Sequence, residues 1–161
     1  MRRALVLGAS GHVGNAVVRE LVARGCAVTA ARRGRTAARN LAGLPVTDAL
    51  GDADDAATLD RWVGGHDLVV DAAAPYPLTL AADRASHAAE TAARRAAVLV
   101  EAVARHRADL VHVGSFVTRL GADAAGVPRD PGQRLDAALH PYFAAKRAGE
   151  AVFAAAARAG A

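Results

Sequence analysis

Ala4-Leu5-Val6-Leu7-Gly8-Ala9-Ser10-Gly11-His12-Val13-Gly14 is the stretch that decides the fold. Ala4 to Leu7 is a short apolar run without charge, which reads as a buried strand. Three glycines at a spacing of three follow it. Asn15 to Arg24 then carries Val17, Val18, Leu21 and Val22 at helical spacing, and Gly25 ends that helix. A Gly-x-x-Gly-x-x-Gly segment carries information when it joins a strand to a helix in this way. Glycine permits the tight turn and a close backbone approach. The helix N-terminus offers unpaired N–H groups and a positive dipole end to a pyrophosphate. Gly8, Ser10, Gly11, His12, Val13 and Gly14 are therefore the candidate phosphate-binding residues, with the Ser10 hydroxyl as an added donor. No Gly-Lys-Ser/Thr follows, so a Walker A loop is excluded.

Working outward, the same alternation repeats. Ala27–Ala31 reads as a second strand, residues 36–43 as a short helix, and Val46–Leu50 as a third strand closed by Gly51-Asp52. A helix is expected over Asp55–Val63, with Asp54 or Asp55 near its N-cap. Asp67–Ala73 is a fourth strand, and Pro75-Tyr76-Pro77 breaks the chain into a loop. A long alanine-rich helix is expected over 82–106, with Val98, Leu99, Val100 and Val103 on its apolar face. Leu110–Val113 is a fifth strand. Glycines and prolines make 119–140 a loop, and a last helix is expected over 142–158. Strands alternating with helices predict a doubly wound parallel sheet of about five strands.

Composition removes the competing classes. The chain has 161 residues, which suits one domain over 1–161; 44 of them are alanine and 4% are aromatic, so the core is built from Val, Leu and Ala. Apolar content of 53% argues against disorder, and the single cysteine, Cys26, excludes a disulfide scaffold. Cys26 and the histidines show no metal-ligand spacing. Every apolar run is interrupted before it reaches the length of a membrane span, and no signal-peptide pattern follows Arg2-Arg3. No membrane association and a cytoplasmic location are expected. The net charge of +4 comes from arginines scattered over all segments, without aromatics to stack bases, which argues against nucleic acid.

Three further positions carry chemistry. A carboxylate at the end of the second strand selects NAD by binding the ribose 2′-OH. Ala30-Ala31-Arg32-Arg33 stands there instead, and an arginine fork suits the 2′-phosphate of NADP. NADP is the expected cofactor, with NAD as the alternative. Asp52 is placed for the adenine edge, for helix capping, or for both. Ala72, Ala73 and Ala74 are small enough for a ribose or nicotinamide to approach, or they are ordinary residues of an alanine-rich chain.

Tyr142-Phe143-Ala144-Ala145-Lys146 is the remaining signal. Positions i and i+4 share a helix face. A lysine ammonium beside a phenol favours the phenolate, so such a tyrosine can exchange a proton with a carbonyl or alcohol. The chain has 20 basic residues and Lys146 is the only lysine; it lies one turn after one of only two tyrosines. Ser115, after the fifth strand, supplies a hydroxyl that can orient the same carbonyl, and Thr118 is the alternative.

Together, Gly8-Ala9-Ser10-Gly11-His12-Val13-Gly14, Gly51-Asp52, Val111-His112-Val113-Gly114-Ser115 and Tyr142-x-x-x-Lys146 resemble the extended short-chain dehydrogenase/reductase superfamily. The subgroup is the NAD-dependent epimerase/dehydratase family, with its dihydroflavonol-reductase-like members. The similarity covers essentially the whole chain in the family's order. It implies a Rossmann fold, a nicotinamide cofactor, and hydride transfer with a carbonyl/alcohol or sugar-nucleotide substrate. By resemblance Tyr142 is the acid/base, Lys146 its electrostatic partner and a ribose contact, and Ser115 the carbonyl orienter.

Three departures stand beside the resemblance. The asparagine that many members carry before the fifth strand is replaced near Thr91-Ala92. The serine pair after that strand is Gly114-Ser115. The chain stops at Ala161, where relatives continue into a substrate-binding region. The expectation is therefore an N-terminal portion of such an enzyme, with a non-catalytic dinucleotide-binding module or vestigial fragment as the alternative. A homodimer through the helices at 82–106 and 142–158 is expected.

Overall fold

The computed structural model describes residues 1–34, 38–74, 87–115, 118 and 140–160. Met1–Ala74 with Ala97–Val113 forms one compact unit, and the described residues within Pro75–Ala96 and Gly114–Gly160 form a second.

The first unit holds a five-stranded parallel sheet. Its strands are β1 (Arg3–Leu7), β2 (Ala27–Arg32), β3 (Val46–Leu50), β4 (Leu68–Asp71) and β5 (Asp109–His112). Their order is β3-β2-β1-β4-β5, so the chain winds outward from β1 and then returns across it to β4. Register is continuous: Val6 pairs with Ala30 on one side and with Val70 on the other. The reversal between β1 and β4 opens a crevice at the C-terminal strand ends, the place where open parallel sheets bind ligands.

Helix α1 (His12–Ala23) covers one face of the sheet. Val18 packs with Val6, Val28, Ala30, Val70 and Leu41, and Val17, Leu21 and Val22 border the cluster. Strand residues alternate between faces. Leu5, Leu7 and Val69 therefore point to the opposite face, where they are fully buried. Helix α2 (Ala56–Val63) buries Leu59, Trp62 and Val63, spaced i, i+3, i+4. The C-terminal half of α3 (Ala88–His106) buries Leu99, Ala102 and Val103 at the same spacing. Asp60 of α2 accepts from Arg105 at 2.7 Å and contacts His106 at 3.1 Å, which ties α2 to the C-terminal end of α3.

Local signals act as the residue chemistry demands. Asp55 is the N-cap of α2 and accepts from the Thr58 N–H at 2.9 Å; its bonding to Thr58 holds its carboxyl below the usual carboxylate range. Asp67 accepts the Arg3 N–H at 2.8 Å, and that bond lowers its pKa and fastens β1 to the entry of β4. Arg2 pairs with Asp109 at the same end of the sheet.

The expected elements are present with shifted ends. The helix expected at Asn15 begins at His12, and the second strand runs one residue further, to Arg32. The short helix expected at 36–43 is a single 3₁₀ turn, Arg39–Leu41, among the described residues. Helix α4 (His140–Ala159) starts two residues early, with Pro141 inside its first turn. The Pro75-Tyr76-Pro77 loop and residues 119–139 lie outside the described residues.

One buried polar contact crosses the sheet at its C-terminal edge. Asp71 is fully buried, and its Oδ2 lies 2.9 Å from His112 Nδ1, joining β4 to β5. Removing the ring takes one hydrogen-bond partner from a fully buried carboxyl group. His112→Ala is expected to cost about 1.5–3 kcal/mol, while His112→Val with Asp71→Val recovers most of it. Urea unfolding of the two variants checks this; equal losses in both would show that the pair is not coupled.

Candidate functional site

The crevice begins where β1 ends. Gly8 adopts φ +74°, a region that favours glycine, and a Cβ there would lie 2.9 Å from both Ala72 O and Ala73 Cα. The β1 turn thus presses against the segment that leaves β4, and Ala72 N donates to Leu7 O at 3.1 Å. Ala73 N donates to Asp71 Oδ1 at 3.2 Å. Two groups expected separately for the site, the glycine turn and Ala72–Ala73, are in contact.

The turn then closes on itself. Gly11 N donates to Gly8 O at 2.9 Å, and Ala9 N donates to Ala31 O at 3.1 Å. Gly11 is the extended N-cap residue of α1, with Asn15 N bonded to its carbonyl at 2.9 Å. The N–H groups of His12, Val13 and Gly14 belong to the first turn, which has no intrahelical acceptors for them. Ser10, His12 and Val13 are exposed beside them. A Cβ on Gly14 would stand 2.1 Å from Gly8 O and 2.8 Å from Gly8 C. The backbone itself fills that space, so the helix start lies directly on the turn. The chemistry of this turn fits a dinucleotide pyrophosphate: it has a positive helix end, first-turn N–H groups without intrahelical acceptors, and glycine at the three positions of closest approach.

The arginines at the end of β2 divide. Arg32 is buried, and its fork meets Asp48 of β3 with Nε–Oδ1 at 2.8 Å and Nη2–Oδ2 at 2.5 Å. Its Nη1 donates to Gly34 O at 2.9 Å. The Asp48 bond raises the Arg32 pKa further above an already high value. Arg33 is exposed. Asp52 is exposed and accepts from Asp54 N at 3.0 Å, forming a local turn ahead of α2, whose cap is Asp55. Gly51 lies against Trp62 and Thr58, where a Cβ would come within 2.8 Å of the indole.

The second unit holds Ser115, Tyr142 and Lys146. Tyr142 and Lys146 stand one turn apart on α4, both half-buried, with Phe143 and Ala145 buried between them. The Tyr142 and Phe143 rings meet edge to face at 6.0 Å. Ser115 N donates to Glu150 Oε1 at 3.0 Å, and a Cβ on Gly114 would lie 2.8 Å from the same oxygen. Glu150 therefore joins the Ser115 segment to the helix that carries Tyr142 and Lys146. Thr118 Oγ1 donates to Ser115 O at 2.7 Å, so the alternative hydroxyl is engaged on the backbone beside Ser115. The sequence reading missed Glu150. The signal was its place four residues after Lys146 and eight after Tyr142, on the same helix face.

Among the described residues no cluster of His, Cys, Asp or Glu is arranged to hold a metal ion, and no helix is long and apolar enough to cross a membrane.

The family model described as NAD dependent epimerase/dehydratase family matches residues 4–161. Comparison with curated proteins finds no match. Among solved structures, gox2253 is 26% identical with a TM-score of 0.71, over 94% of this chain and 46% of its own. The enzyme WbmH of Bordetella bronchiseptica, in complex with NAD+, is 21% identical with a TM-score of 0.71, over 97% of this chain and 52% of its own. BdcA, in complex with NADPH, is 23% identical with a TM-score of 0.68, over 91% of this chain and 60% of its own. The chain spans about half the length of these structures, and the likeness at this identity establishes the Rossmann-like fold.

Gly14→Ala is expected to force α1 off the turn. Overpacking of this kind costs about 1–3 kcal/mol. Thermal unfolding should show the loss, and dinucleotide binding should disappear even below the new melting point. A variant that binds as the parent does would show that the cradle is not the site.

Proposed function

The chain belongs to the NAD-dependent epimerase/dehydratase family, and from that premise we propose that it binds NADPH, in preference to NADH, for hydride transfer with a carbonyl/alcohol or sugar-nucleotide substrate. The observation that carries this reading is the Gly8–Gly11–Gly14 cradle at the β1–β4 reversal, whose contacts leave no room for side chains. The His12, Val13 and Gly14 N–H groups bind the pyrophosphate. Ala72 and Ala73 admit the ribose near the turn.

Cofactor choice rests on Arg33. The Arg32 fork is committed to Asp48 and Gly34, so its work is to fasten β2 to β3 and to shape the strand end. Arg33 follows it, exposed, and meets the 2′-phosphate. Asp52 serves the adenine edge from beyond β3.

When bound, the nicotinamide supplies or accepts the hydride. The Tyr142 hydroxyl exchanges the proton at the substrate oxygen. Lys146, one helical turn away, steadies charge on that hydroxyl and contacts the ribose. Ser115 orients the same substrate oxygen, held in place through its N–H on Glu150. Resemblance assigns these roles; the arrangement of Ser115, Glu150 and α4 supports them.

Two outcomes test the reading. Tyr142→Phe should abolish carbonyl-dependent NADPH oxidation while leaving the NADPH dissociation constant within about twofold, since the phenol acts only on the reacting oxygen. Equal turnover in the variant would remove the catalytic assignment. Arg33→Ala should weaken NADPH by about tenfold or more and leave NADH nearly unchanged, as loss of a charge-assisted bond requires. Fluorescence titration with both nucleotides reads the difference, and parallel losses for the two would overturn the NADP preference.

A further inference from the structure

The chain contains two asparagines, Asn15 and Asn40, and both belong to one polar network beside the cradle. Asn40 Nδ2 donates to Ser10 O at 2.9 Å. The Asn40 carbonyl accepts from Asn15 Nδ2 at 2.8 Å and from Arg19 Nη2 at 3.0 Å. Arg19 Nε in turn donates to Asn15 Oδ1 at 3.1 Å. Asn40 thus receives two bonds from α1 through its backbone and gives one to the glycine turn through its side chain.

Its neighbour Leu41 is buried in the cluster with Val6 and Val18, so the 3₁₀ turn is anchored in the core. That anchor gives the Asn40 amide a fixed base. The Ser10–Gly11 peptide is then held at both ends. Its carbonyl accepts from Asn40, and its N–H donates to Gly8 O. The orientation of this peptide sets where the chain enters α1, and hence where the His12, Val13 and Gly14 N–H groups point.

We infer that Asn40 is a positioning residue that holds the phosphate-binding loop in its anion-accepting shape. The inference rests on the reading of Gly8–Gly14 as a pyrophosphate cradle. An amide suits the task because it offers a donor without charge. A carboxylate at the same place has no donor for Ser10 O and brings negative charge toward a phosphate. Because the bond is solvent-exposed, its loss disturbs the local loop more than the fold.

The experiment uses the full chain with Asn40→Ala and Asn40→Asp. Three quantities are read: the melting temperature, amide hydrogen exchange at Gly11, and the dissociation constant of ADP. ADP carries the diphosphate without the nicotinamide. Expected are a melting temperature within about 2 °C of the parent, and faster exchange at Gly11. ADP affinity should be about three- to tenfold weaker in the alanine variant, the worth of one hydrogen bond. The aspartate variant should be weaker still. Unchanged Gly11 exchange would overturn the inference, because the peptide would not depend on Asn40. Faster exchange with unchanged ADP affinity would overturn it too, because the held shape would not be the binding shape. Failure of the parent chain to bind ADP is a separate result: it removes the cradle reading, and the role of Asn40 with it.

Discussion

The close approach between the start of α1 and the Gly8 carbonyl governs the rest of the structure. A methyl group on Gly14 would sit 2.1 Å from that oxygen, well inside contact distance. Because the helix can come this close, Val18 reaches the sheet and packs against Val6 and Val70. Because it stays close, the first-turn N–H groups remain at the mouth of the β1–β4 crevice. The apolar contact that stabilises the fold and the placement of the first-turn N–H groups arise from one backbone juxtaposition. Gly8 completes it from the other side, where Ala72 and Ala73 leave no space for a side chain.

The strand ends around this point are fastened by polar contacts between distant parts of the chain. Arg32 joins β2 to β3 through Asp48, and Asp71 joins β4 to β5 through His112. Asn40 joins the 3₁₀ turn to the glycine loop. The first two are charge-assisted contacts at part-buried positions, and the third is an amide bond at the surface. A parallel sheet leaves its C-terminal edge open for ligands, and that edge has no further strand pairing to hold its shape. Side chains that bridge neighbouring strands and loops provide it instead.

What was legible in the sequence follows from what is local. Val46–Leu50 appears as the strand its apolar and β-branched residues predict, and the glycine turn is where its spacing places it. Helix α1 starts earlier than its apolar periodicity because His12 and Val13 face solvent and contribute nothing to the buried stripe. The part played by Arg32 was not legible. Two adjacent arginines look alike in sequence, and only the β2–β3 register brings Asp48 beside one of them: Ala30 pairs with Asp48, and Arg32 with Leu50. The same holds for Asn40, whose partner Ser10 lies thirty positions earlier. Long-range pairing decides such roles, and a linear reading shows composition and spacing only.

The Ser115 segment shows how one small residue shapes a neighbour's chemistry. Gly114 stands where the family resemblance leads one to expect a serine. In this chain a Cβ at that position would meet the Glu150 carboxylate at 2.8 Å. Glycine leaves room for that carboxylate to accept the Ser115 N–H at 3.0 Å. Glu150, Lys146 and Tyr142 lie at successive turns along one face of α4. The backbone of Ser115 is thereby referred to the same helix that carries the tyrosine and lysine. Thr118 adds a second tie, since its hydroxyl donates to the Ser115 carbonyl. With its N–H on Glu150 and its carbonyl on Thr118, the backbone of Ser115 is fastened on both sides to its own neighbourhood.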